Sequence, residues 1–106
     1  MNHCVVSGKI VGDIDKTIGD NGATICKFNM ANIYYKPKLS ASEKTILRCV
    51  SYGAVAEYVY NELYEGANII VTGRILTRAY KVNNSTYHQT YIGCDTVSRL
   101  DQEDYS

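Results

Sequence analysis

The feature that most constrains this chain is a side-chain period of two, held almost end to end and interrupted once by a helical period. Such alternation builds half-buried strands, because successive side chains leave a strand on opposite faces. A first strand is predicted over about Asn2 to Val11, ending near Gly12-Asp13. Gly19-Asp20-Asn21-Gly22 is a dense turn cluster. A second strand follows from Ala23 to Ile33, with Cys26, Phe28 and Met30 on one face and Ile25, Lys27 and Asn29 on the other. The only proline, Pro37, lies among lysines and serines in Tyr34 to Lys44, a stretch predicted to be a mobile loop. The third strand, Thr45 to Tyr52, stops at Gly53. The period then changes. Val55, Val59 and Leu63 recur at i, i+4 and i+8, so Ala54 to Tyr64 reads as an amphipathic helix with Gly66 as its C-cap. A long fourth strand from Asn68 to about Val82, a turn at Asn83-Asn84 and a fifth strand from Thr86 to Val97 complete the pattern.

The resulting order is β-β-β-α-β-β: all-β with one helix. A single helix between strands three and four of a five-stranded Greek-key barrel is the OB-fold arrangement, a common scaffold for oligonucleotide binding. A chain of 106 residues buries one modest core, so residues 1–100 are expected to form one domain and 101–106 a short acidic tail. No basic-then-apolar leader and no long apolar run is present, which points to a cytoplasmic protein without a membrane segment. Cys4, Cys26, Cys49 and Cys94 are widely spaced, form no C-x-x-C pair and each fall inside a strand. They read as free thiols buried as small hydrophobes, with neither metal nor cofactor implied.

Net charge is zero, but it is sorted by segment. Residues 21–53 carry Lys27, Lys36, Lys38, Lys44 and Arg48 against Glu43 alone, a net of +4. Residues 66–94 carry Arg74, Arg78 and Lys81 with no acid, a net of +3. The other segments are acidic, so a neutral protein can present one positive face to a polyanion.

Alternation assigns the faces of strands three and four. Leu47, Cys49 and Ser51, with Ile69, Val71, Gly73 and Ile75, are expected inside the barrel. Ile46, Arg48, Val50 and Tyr52, with Arg74, Leu76, Arg78 and Tyr80, are expected outside. Single-stranded DNA offers unstacked base faces and a charged backbone, so a sequence-tolerant binder needs flat π-surfaces beside cationic groups. Arg48 with Tyr52, and Arg74 and Arg78 with Tyr80, meet that need. Tyr34, Tyr35, Lys36 and Lys38 form a basic-aromatic cluster in the predicted loop, and Tyr87 opens strand five. Tyr58, Tyr60 and Tyr64 on the helix read as surface residues. No P-loop, nucleophile elbow or dinucleotide fingerprint occurs, and neither His3 nor His88 sits in a catalytic motif, so an enzyme is not expected.

Several ordered motifs resemble the bacterial single-stranded DNA-binding protein family over nearly the whole chain. These are Met1-Asn2 with Val6-Ser7-Gly8-Lys9-Ile10, Gly22 with Phe28-Asn29-Met30-Ala31, Ser51-Tyr52-Gly53 with Ala56-Glu57, and Gly66 through Ile75 with Thr77-Arg78-Ala79-Tyr80. The resemblance implies stacking aromatics at Tyr52 and Tyr80, basic contacts at Arg48 and Arg78, and an aromatic near Tyr34 or Tyr35. It also implies a homo-oligomer, usually a tetramer and less often a dimer, with first strands pairing across subunits. The family's replication, repair and recombination roles are implied as well. Ile46 stands where many members carry a stacking tryptophan, Leu47 where some have a polar subunit contact, and Glu65 where a basic residue is common. The family's Gly/Pro/Gln-rich linker and acidic Pro-Phe tip have no counterpart in these residues, so the resemblance implies no recruitment of replication or repair proteins through that tip. An alternative is a partner-binding accessory protein resembling primosomal replication proteins, with weak DNA affinity.

Overall fold

Residues 1–100 are described by the computed structural model, and they fold as five strands and one helix in the predicted order. These are β1 (Cys4–Ile18), β2 (Thr24–Lys36), β3 (Ala41–Tyr52), α1 (Gly53–Glu62), β4 (Asn68–Val82) and β5 (Ser85–Arg99). The strands close into a barrel in the order β1-β2-β3-β5-β4, all neighbours antiparallel except β3 and β5. This is the expected five-stranded OB-fold barrel. The acidic segment 101–106 lies outside the described residues.

The alternation read in strand two is what fills the barrel. Cys26, Phe28 and Met30 are fully buried, beside Ile10 of β1, Cys49 of β3 and Ile69 and Val71 of β4. The helix closes one side of this core with Ala56 and Val59, and Leu63 follows them into it. The Thr24 hydroxyl of β2 donates to the Glu57 carboxylate and fastens the helix to the sheet.

Four expectations are corrected. β1 does not end at Gly12-Asp13. It continues to Ile18 through a bulge between Val11 and Asp15, which Gly12 makes possible by adopting a φ of +79°, the left-handed region a residue without Cβ enters freely. Tyr34 to Lys44 is not a loop but the end of a hairpin: β2 and β3 stay in register from Ile25↔Tyr52 to Lys36↔Ala41, and only Pro37–Leu39 turns. The helix stops at Glu62 and is capped by extended Leu63, so Gly66 is no C-cap; its N–H instead donates to the Ile10 carbonyl and ties the loop to β1. Ile75 is half exposed because β4 has by then run past the rim of the barrel, while Val50, expected outside, is buried where β3 meets β5.

Gly73 shows why the barrel can close tightly at β4 and β5. A Cβ there would sit 2.1 Å from the Gly93 carbonyl oxygen, so no side chain fits. The register shifts at that point, Thr72 facing Thr96 and Gly73 facing Cys94, which leaves Asp95 as the extra residue of a bulge.

Candidate nucleic-acid interface

β3 and β5 share only two rungs, Cys49↔Ile92 and Val50↔Gly93. Below them each strand leaves with its antiparallel partner. β3 departs with β2 as one hairpin arm, and β5 with β4 as a second, longer finger. The outer faces of the two hairpins form the walls of a groove.

Lys27 of β2, Arg48 and Tyr52 of β3 and Arg78 of β4 converge on that groove, a polar space of about 80 Å³. The register explains the convergence: Lys27 faces Val50, Ile25 faces Tyr52 and Asn29 faces Arg48, so all share one face of the arm. Arg48 donates from Nη1 to Asn29 Oδ1 at 3.4 Å, which aims the guanidinium along the groove. Asp15 stands opposite Lys27 in the β1–β2 ladder, yet among the described residues Lys27, Arg48 and Arg78 have no carboxylate in ion-pair contact. Gln89 and Tyr91 of β5 complete the wall. The sequence reading missed both, although their alternation with Tyr87 on the strand facing Arg78 was the signal that would have found them.

Further out on the finger, Tyr80 and Tyr87 lie opposite each other with ring centroids 5.7 Å apart and planes inclined by 27°. Alternation puts this stacked pair on the face of Arg78 and Gln89, and both rings remain about half exposed. Arg74 occupies the same face nearer the barrel but does not line the groove, and Lys81 falls on the opposite face beside Thr86.

The arm divides the predicted basic-aromatic cluster. Tyr35 continues the face of Lys27 and Asn29, with Ile33 and Lys44 beside it. Tyr34 and Lys36 belong to the other face, where both are engaged by Glu43: the Tyr34 hydroxyl donates to Glu43 Oε1 at 3.1 Å and Lys36 Nζ lies 2.9 Å from the same oxygen. Lys36 also sits over the Tyr34 ring. Lys38 is in the Pro37–Leu39 turn at the tip.

A family model described as the single-strand binding protein family matches residues 1–100. The chain belongs to this family. It is 28% identical over 103 residues to a single-stranded DNA-binding protein of Oceanobacillus iheyensis, covering 95% of this chain and 64% of that protein. It is 30% identical over 87 residues to single-stranded DNA-binding protein 2 of Clostridium acetobutylicum, covering 81% and 65%. The chain thus spans about two thirds of the length of these bacterial relatives. The fold of this single-strand binding family member is also similar to a solved chain described as a Plasmodium falciparum SSB complex with ssDNA, with a TM-score of 0.85 at 20% identity, covering 95% of this chain and 96% of that one. Among the described residues no helix is long and apolar enough to cross a membrane, and no group of three or more potential ligands could hold a metal ion.

Proposed function

We propose that this protein binds single-stranded DNA with little regard to sequence and shields it during replication, repair or recombination, acting in the cytoplasm at the nucleoid and not as an enzyme. The observation that carries the reading is the convergence of Lys27, Arg48, Arg78 and Tyr52 on one groove without a carboxylate partner. Unpaired cations neutralise phosphates, and the exposed rings of Tyr52 and of the Tyr80–Tyr87 pair offer stacking surfaces for bases. Tyr35, Lys44 and Lys38 extend the same track along the arm. Family membership and the strand-bound neighbour of the same fold support the assignment.

The working unit in this reading is a homo-oligomer, a tetramer in preference to a dimer. β1 pairs with β4 from Cys4 to Lys9 but joins β2 only from Lys9 onward. The edge of Cys4–Gly8 is therefore open apart from the Asn32 carboxamide, which donates to the Ser7 carbonyl. A strand from a second copy would pair there and hide an edge that otherwise invites aggregation.

Titration of fluorescent oligo-dT at two salt concentrations tests the function, and the mass in solution tests the assembly. If three phosphates are neutralised, affinity falls about 20-fold between roughly 50 and 200 mM salt. Absence of binding at the lower salt would reject the reading and leave the partner-binding alternative.

A further inference from the structure

The fork where arm and finger part holds a second space. It is a cavity of about 290 Å³ between β1, β3, β4 and β5. Val6, Leu47 and Ile92 form its floor, and the exposed side chains of Ile46, Ile75 and Thr90 form its lip. Arg48 and Tyr91 line both this cavity and the cationic groove, so their side chains are the partition between the two.

The two spaces suit different parts of a nucleotide. The groove, at about 80 Å³, has the volume of two to three waters at roughly 30 Å³ each and is ringed by cations, which suits a phosphate. The cavity is close to the lower bound of small-molecule pockets, about 300 Å³, and is apolar except on the side of Arg48, Tyr91 and Thr90. A flat heteroaromatic ring with one hydrogen-bonding edge matches it. We propose that the fork takes one nucleobase of a bound single strand while Arg48 and its neighbours hold the adjoining phosphate. This rests on the single-strand-binding reading above. A nucleotide also fits better than an apolar side chain from a second copy. The phosphate would satisfy the Arg48 guanidinium, whereas an apolar plug would cover that charge without an acceptor.

Cys4 lines the cavity and is half-buried, whereas Cys26, Cys49 and Cys94 are buried in the core. Its alkylation by iodoacetamide, followed by peptide mass mapping, therefore reports on the fork. With oligo-dT at about ten times its Kd, Cys4 should react about tenfold more slowly, since only the unbound fraction is open. An abasic oligonucleotide of equal length at the same multiple of its own Kd should leave the rate unchanged. Protection by both oligonucleotides would overturn the inference, because backbone alone would then suffice. So would oligo-dT that binds by fluorescence anisotropy yet leaves Cys4 at its free rate, an outcome that keeps the groove and removes the fork. Loss of all anisotropy change would instead overturn the single-strand reading and this inference with it. Protection that rises with protein concentration in the absence of DNA would place a second copy in the fork and overturn the proposal. Thr90→Phe offers an independent check, because Thr90 is exposed at the lip and a larger side chain fills the fork from its rim. It should weaken oligo-dT about tenfold through the lost base contact while leaving the salt slope unaltered. An unchanged affinity in a variant with the circular dichroism of the parent would count against the proposal.

Discussion

Tyr52 and Tyr60 differ by eight positions and by everything that decides whether a ring can stack a base. Tyr52 is 53% exposed at the wall of the cationic groove. Tyr60, on the helix, carries the Lys16 ammonium over its face at 4.7 Å. Replacing Tyr52 or Tyr80 by Ala should therefore cost about 1 to 3 kcal/mol of oligo-dT affinity each, while Tyr60→Ala should change it little. Equal losses in a binding titration would reject the proposed face. Residues of this kind were legible wherever strict alternation held. Lys27, Arg48, Tyr52 and Arg78 were all selected from the sequence, and the structure brings them together. Tyr34 and Lys36 were grouped with Tyr35 for a physical reason. Only the β2–β3 register places Glu43 opposite Tyr34, and that register is invisible while Pro37, the lysines and the serines read as loop.

At the scale of elements, punctuation misled more than periodicity did. A glycine with left-handed φ serves a bulge as well as a turn, so Gly12 marks a kink inside β1 where an end was expected. The helix and the fourth strand were legible because Val55, Val59 and Leu63, and then Ile69 and Val71, keep their periods over several turns or rungs. The cysteines were rightly expected to be free and mostly buried, and their burial has a consequence for pH. A hydrogen bond with Cys94 together with burial pushes the Cys49 thiol of β3 well above the usual range, and burial also raises Cys26. A pKa raised on folding stabilises the fold fully below the unfolded value, about 8.5, and that stabilisation drains away as pH rises above it. Each such thiol should then cost about 1.4 kcal/mol of stability per pH unit. Denaturant unfolding between pH 7 and 10 measures this. Cys49→Ala, though less stable at neutral pH, should show a pH slope shallower by that amount, and an identical slope in both proteins would contradict the assignment.

For the molecule as a whole, the claim is that a protein of zero net charge binds a polyanion because its charges are sorted by position. The segment sums already suggested this, but not the distance over which it operates. Tyr52, at the groove, is the N-cap of α1, and Glu62 is the last residue of that helix, about 15 Å away at roughly 1.5 Å per residue. At physiological salt the screening length is about 8 Å, so Glu62 is nearly two screening lengths from Tyr52. Glu62→Gln raises the net charge by one, and Lys27→Gln lowers it by one. If net charge governed binding, the two would shift oligo-dT affinity by similar factors in opposite directions. If sorting governs it, Lys27→Gln should weaken binding several-fold at about 150 mM salt and reduce the salt slope by about 0.7, whereas Glu62→Gln should alter affinity by less than about twofold. Lowering the salt to about 10 mM extends the screening length to roughly 30 Å, comparable to the shortest dimension of the molecule, 29 Å. Under that condition Glu62→Gln should begin to strengthen binding measurably. An effect of Glu62→Gln that is as large at 150 mM as at 10 mM would show that the far side of the protein contacts the strand directly, and the single-groove description would fail.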